Sequence, residues 1–130
     1  MDPLRGLYEE GTWRGKRQWR CLVCPFDTLK GEEVIREHGT VSARTAEELA
    51  RRARAVAGAD IGVGVTGVAG PESVEDQPVG RVFLALDSAA GTEVRRWDLP
   101  GSRERVKERA ARSALDMIRR HLLAEREGKR

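Results

Sequence analysis

The residues best suited to do chemistry stand in Thr66-Gly67-Val68-Ala69-Gly70-Pro71, where a run of apolar and small residues stops abruptly. Gly67 and Gly70 admit backbone angles closed to other residues, and Pro71 removes the donor a continuing ladder would need. A loop of this kind at the C-terminal end of a strand is where open α/β sheets bind ligands. Its backbone N–H groups can face an anion or a developing oxyanion. A tight turn that simply needs glycine is the competing reading, and composition alone favours it. Gly62-x-Gly64-x-x-Gly67 has the form of a dinucleotide fingerprint. Two of those glycines fall inside the strand, however, and Gly70-Pro71 stands where a helix would have to open, so the fingerprint is rejected.

A second group is Cys21-Leu22-Val23-Cys24. Two thiolates at this spacing chelate one zinc ion through a tight knuckle. Phe26 follows, and Ile35-Arg36-Glu37-His38 closes an expected helix, so residues 21–38 resemble the front of a Cys2His2 zinc finger. Thirteen residues separate Cys24 from His38, one more than the usual finger spacing. Cys21, Cys24 and His38 leave the tetrahedron open. Ser42, Ala43 and Arg44 occupy the positions of a second histidine, and His121 lies at the far end of the chain. Asp27, a glutamate or a partner chain would have to supply the fourth ligand. Two free cysteines are an equally good reading, and a thioredoxin-like redox role is disfavoured because no strand-to-helix entry surrounds the pair. Trp13-Arg14-Gly15-Lys16-Arg17-Gln18-Trp19-Arg20 interleaves two aromatics with four cations. Cations meet phosphates and indoles stack on bases, which makes nucleic acid a conceivable partner. Tryptophans filling a small core beneath solvated cations is the preferred reading of that run.

The elements that must position these residues follow from periodicity. Ile61, Val63 and Val65 alternate with small residues, which predicts a strand with a layer on each face, expected to be central in its sheet. Residues 81–86 and 92–99 predict two more strands. Upstream, Ser42 is a good N-cap, and Thr45-x-x-Glu48 offers a capping box slightly later. Ala46, Leu49, Ala50, Ala53 and Ala57 then share one helical face, with Arg51, Arg52 and Arg54 towards solvent. Gly58 closes that helix. Ser102 caps a last helix whose apolar face is expected to be Val106, Ala110, Ala114, Ile118 and Leu122, with Leu115 beside them. Its tail from Glu125 is charged and expected to fray. Near the N-terminus, Leu4, Leu7 and Tyr8 predict a short helical turn that Gly11 and Gly15 interrupt. The order helix, strand, strand, strand, helix fits an α/β layer.

Composition sets the bounds. A chain of 130 residues has room for one domain with a sizeable core. Its net charge of +3 does not by itself imply nucleic acid. No apolar run approaches the roughly 20 residues of a membrane span. The opening Met-Asp-Pro is polar and lacks a signal peptide's apolar core. A soluble, cytoplasmic protein without membrane association is expected, and there the cysteine pair points to metal or redox chemistry before a disulfide.

TGVAGP, a polar spacer and then QPVGRVFLAL together resemble the C-terminal domain of the CinA family of competence/damage-inducible proteins. His38-Gly39-Thr40-Val41-Ser42 is similar to the family's HGxVS entry to a helix. Leu99-Pro100-Gly101-Ser102-Arg103 is similar to its PGDR entry to the last helix, with Ser102 where the family usually has Asp. The resemblance covers residues 31–123. It implies an α/β layered sheet with flanking helices and an amidohydrolase that converts nicotinamide mononucleotide to nicotinic acid mononucleotide, with no cofactor required. Carried onto this sequence, it assigns Thr66 to catalysis, Gly67, Ala69 and Gly70 to the substrate's carboxamide or oxyanion side, and Arg103 to a substrate phosphate.

The family's catalytic serine sits in an ESCTGG-type loop, and its tyrosine and lysine in a YSN-x-x-K segment. Neither string occurs here: residues 1–30 contain no serine, and Tyr8 has Trp13 where the lysine would fall. The expectation is therefore a truncated domain over residues 31–130, catalytically incomplete, behind a finger-like or irregular segment over 1–30. The alternative is a non-catalytic zinc-binding or nucleic-acid- or protein-interaction module. His38 fits both the finger and HGxVS, which marks a seam and makes a recombined or chimeric chain a reading to carry. Missing strands would leave a sheet edge and an apolar face uncovered. Residues 1–30, through Trp19, Leu22, Val23 and Phe26, or a second chain in a homodimer are the two candidates to cover them.

Overall fold

The computed structural model describes residues 8–13, 16–21 and 31–128. Strands β1 (Tyr8–Trp13) and β2 (Lys16–Cys21) pair antiparallel as a sheet of their own. Helices α1 (Gly31–His38) and α2 (Ala43–Ala57) follow. Then come β3 (Ile61–Gly67), β4 (Arg81–Ser88), β5 (Gly91–Asp98) and α3 (Arg103–Gly128). The three later strands form one antiparallel sheet in the order β3-β4-β5. Helix α2 lies on one face and α3 on the other, a mixed layered domain of the expected class. Among the described residues no helix is long and apolar enough to cross a membrane.

Ser42 and Gly58 cap α2 as its sequence predicts. Ser42 has extended angles, and its hydroxyl accepts the Thr45 amide at 3.1 Å. Thr45 lies inside the helix and its hydroxyl donates to the Gly39 carbonyl at 2.6 Å, so it does not open a second cap. At the other end Gly58 takes φ +59. The Gly58 and Ala59 amides reach back to the Ala55 and Arg54 carbonyls, the pairing of a Schellman stop.

The sheet corrects one expectation. Among the described strands β4 is the central one, and β3 is an edge. The small residues of β3 answer to the helix above it, not to strands on both sides. A Cβ at Gly62 would strike the Ala50 carbonyl oxygen, and one at Gly64 that of Ala46. Ala46, Ala50 and Ala85 form the small-residue layer there, with Phe83 and Val94 packed against it. On the opposite face Val82, Leu84 and Leu86 meet Val106, Ala110, Ala114 and Met117 of α3. Met117 joins this core and Ile118 packs against it, whereas Leu122 is exposed, as is Leu115. Helix α3 also continues through Glu125 to Gly128.

The N-terminal expectations change too. Tyr8 opens a strand, and Gly11 sits inside that strand opposite Gln18. Leu4, Leu7 and Gly15 lie outside the described residues. Neither β1 nor β2 pairs with β3. Leu22, Val23 and Phe26 lie outside the described residues as well.

Arg54 was expected in solvent and instead crosses to the sheet. Its Nη1 donates to Asp87 Oδ2 at 3.2 Å, while the Thr92 hydroxyl donates to Asp87 Oδ1 at 2.7 Å. Burial on its own would raise the Asp87 carboxyl, but the Thr92 and Arg54 hydrogen bonds outweigh it and hold the group below its ordinary value. A depressed folded-state pKa contributes stability above the unfolded value, and that contribution fades as pH falls through the folded one. Asp87→Asn should therefore cost about 1–3 kcal/mol at pH 7. The gap to the unsubstituted chain should narrow in urea melts as pH drops below about 4. A gap constant from pH 7 to pH 3 would show that the carboxylate charge is not what Arg54 binds.

Candidate functional site

Three segments meet at the C-terminal end of β3: the turn before α2 (residues 39–42), the loop from β3 to β4 (68–80) and the first turn of α3. Thr40 is the hub of the first two. Its amide donates to both Glu75 carboxylate oxygens, at 3.0 and 2.8 Å. The Val41 amide reaches Glu75 Oε2 at 3.3 Å. The Thr40 carbonyl accepts the Thr66 hydroxyl at 2.6 Å. One residue's N–H and C=O thus tie down both the entry to the loop, at Thr66, and its far turn, at Glu75. Gly39 sits at φ +82, and a Cβ there would lie 2.6 Å from Glu75 Oε2, so this approach needs glycine. The Thr40 and Val41 amides hold the Glu75 carboxyl below its ordinary value, against a smaller opposing effect of burial.

The loop is also fixed from within and from α3. The Val68 amide donates to the Arg81 carbonyl at 2.9 Å, and Gly80 donates to the Val68 carbonyl at 2.7 Å. Val68 is buried. The Ala69 and Gly70 amides take no acceptor among the described residues. Arg103 opens α3, and its Nη1 donates to the Gly70 carbonyl at 3.1 Å. Ser102 caps that helix, its hydroxyl accepting the Arg105 amide at 3.4 Å. Beside the loop lies an apolar cavity of about 290 Å³ between β3, β4 and α3, lined by Val65, Gly67, Ala69, Val82, Val106 and Lys107 among others.

Of the residues singled out from sequence, Gly70 and Arg103 are joined by a hydrogen bond, and Gly67 and Ala69 line the cavity next to them. Thr66 is buried, and its hydroxyl proton is committed to Thr40, on the α2 side of the sheet. Strand alternation puts Gly67 on the other side, towards α3. His38 is exposed at the end of α1, 3.7 Å from the Glu37 carboxylate. Cys21 ends β2, while Cys24 and Asp27 lie outside the described residues. No cluster of three His, Cys, Asp or Glu side chains suited to a metal occurs among the described residues. Glu75 carries no sequence signal: residues 72–77 read as a polar spacer, and nothing local separates it from Glu72 or Asp76.

Comparison with known proteins places this architecture. The model of the CinA C-terminal domain matches residues 29–122. A putative competence-damage inducible protein of Acetivibrio thermocellus is 44% identical over 92 residues, which is 70% of this chain and 22% of that protein. One from Streptococcus gordonii is 47% identical over 113 residues, 86% of this chain and 26% of its own length. Among solved structures, competence damage-inducible protein A (ComA) from Klebsiella pneumoniae superposes with a TM-score of 0.67 at 37% identity. That match covers 70% of this chain and 57% of the Klebsiella one. The chain therefore spans only about a quarter of the length of these two curated relatives.

Proposed function

The chain belongs to the CinA family through its C-terminal domain, and on that premise we propose that residues 31–128 form the nucleotide-binding share of a nicotinamide mononucleotide amidohydrolase site. The observation that carries this reading is the convergence of the Val68-Ala69-Gly70 backbone with Arg103 at the first turn of α3, beside an apolar cavity. A helix N-terminus and a guanidinium suit a phosphate. Arg103 spends one nitrogen on Gly70 and is otherwise exposed. The Ala69 and Gly70 amides suit the carboxamide oxygen. The apolar wall of the cavity can lie against one face of the nicotinamide ring, with the ring's positive charge kept towards solvent.

Hydrolysis of the carboxamide also needs an activated nucleophile and a base within hydrogen-bond reach. The family assigns those roles to the serine, tyrosine and lysine of its ESCTGG and YSN-x-x-K segments, strings that these 130 residues do not contain. Thr66 does not replace them, because its hydroxyl is turned away and bonded to Thr40. Its part is to hold the loop. The domain binds, and the nucleophile-bearing segments complete the reaction.

Titration calorimetry and an ammonia assay on the full chain test this together. Nicotinamide mononucleotide should bind without measurable ammonia release. Arg103→Ala should weaken binding by about tenfold, the loss of one charge-assisted contact. Arg103→Lys should restore only part of it, since a lysine keeps the charge and loses the fork. Family-like turnover surviving Thr66→Ala, or binding indifferent to Arg103, would overturn the assignment.

A further inference from the structure

Glu75 stands in a conformation its side chain does not favour. Glu75 has φ +50 and Asp76 has φ +61, two consecutive left-handed residues, neither of them glycine. They are the central pair of a turn closed by the Val74–Gln77 bridge, with the Gln77 amide donating to the Val74 carbonyl at 2.8 Å. Turns of this hand select Asn-Gly or Asp-Gly, because both central residues need positive φ. Backbone strain of this sort persists only where surrounding contacts over-determine it, and it collects at functional loops. Here the surrounding contact is specific. The carboxylate leaves the turn and grips two amides 34 and 35 residues earlier in the chain. Glu75 lies in the middle of the only segment joining β3 to β4, and that segment carries the Val68-Ala69-Gly70 backbone.

We propose that Glu75 is a positioning residue: its grip on the Thr40 and Val41 amides holds residues 68–80 in the conformation that presents the loop backbone to a bound nucleotide. The proposal rests on the nucleotide-binding reading above for its ligand, and on geometry alone for the grip. Thr66 holds the start of the loop through the same Thr40, so loss of Glu75 frees the far half while the near half stays tied. Arg103, bonded to Gly70, then faces a loop whose distal part no longer has a fixed place.

Glu75→Gly separates positioning from plain stability. Glycine removes the grip and also relieves the positive φ, so the two effects on melting oppose each other, while only the first acts on the loop. Hydrogen-exchange mass spectrometry on the full chain at neutral pH should show peptides spanning 39–42 and 68–80 exchanging about tenfold faster, with α2 and β4 unchanged. Nicotinamide mononucleotide should bind about tenfold more weakly to this variant, and Glu75→Gln, which keeps one acceptor oxygen, should fall between. Unchanged exchange in 68–80 overturns the proposal, and so does faster exchange with unchanged nucleotide affinity. If the unsubstituted chain binds no nicotinamide mononucleotide, the functional reading fails, and the exchange result still decides whether Glu75 fixes the loop.

Discussion

Gly64→Val should cost about 3 kcal/mol, the upper end of the range for overpacking a well-filled interior. The reason is steric and local. A Cβ at position 64 would overlap the Ala46 carbonyl oxygen and come within 2.7 Å of the Ala50 amide and 2.8 Å of Leu49 Cβ. Two of those three neighbours are helix backbone, which cannot rotate away as a side chain can. Helix α2 must lift off β3 as a body, opening the layer that Ala46, Ala50 and Ala85 form against the sheet. Gly58→Ala is the control. Nothing lies within 4 Å of a Cβ there, but φ is +59, so the cost is backbone strain alone, about 1 kcal/mol. Urea melts followed by circular dichroism decide the matter. A Gly64→Val midpoint no lower than that of Gly58→Ala would mean that α2 does not lie on the strand backbone as described.

That packing also shows where sequence reading stops. Helix α2 was legible because its signals are local: Ser42 before it, Gly58 after it, alanine and leucine at helical spacing between. The three strands and the closing helix were legible for the same reason. Whether β3 is central or an edge was not. A strand of alternating glycine and valine looks the same whether its small side answers to a neighbouring strand or to a helix pressed onto it. Arg54 departs from its expected place because helical periodicity fixes where a Cβ points and not where a long side chain ends, and Asp87 lies 33 residues away. Glu75 was invisible for a related reason. Its meaning depends on two amides in a distant turn and on a positive φ that glutamate rarely adopts. The TGVAGP, HGxVS and PGDR-like strings mark the family and the candidate site, while the contacts that hold this region in shape carry no motif.

The closing helix departs from its expected apolar stripe because of its length. At 1.5 Å per residue the 26 residues of α3 run about 39 Å, whereas the eight residues of β4 run about 26 Å. The helix overruns the sheet, and an apolar stripe projected along its whole length must leave the core before the end. Val106, Ala110, Ala114 and Met117 stay over the sheet, while Leu122 passes beyond it.

Where α3 does lie over the sheet, Leu84→Ala should cost about 2–5 kcal/mol, as truncations in a close-packed core do. Leu84 is fully buried at the middle of the central strand, facing α3 in the cluster of Val82, Leu86, Val106, Ala110, Ala114 and Met117. The α3 residues of that cluster are mostly small, so they cannot spread to fill the volume a leucine leaves. A domain of this size has a total stability of about 5–15 kcal/mol, which makes the loss a large fraction of the whole. The consequence reaches the site, because the same helix carries Arg103 at its first residue and sets its 3.1 Å bond to Gly70. Leu84→Ala should therefore loosen α3 against the sheet and, if the proposed function holds, weaken nucleotide binding together. Leu115→Ala removes an equally large side chain from the same helix at a position 67% exposed, and should change stability by no more than about 0.5 kcal/mol. Melting temperature and nicotinamide mononucleotide affinity, measured on both variants, provide the comparison. Equal losses for Leu84→Ala and Leu115→Ala would show that α3 packs on another face, and with it the placement of Arg103 beside the loop would fall.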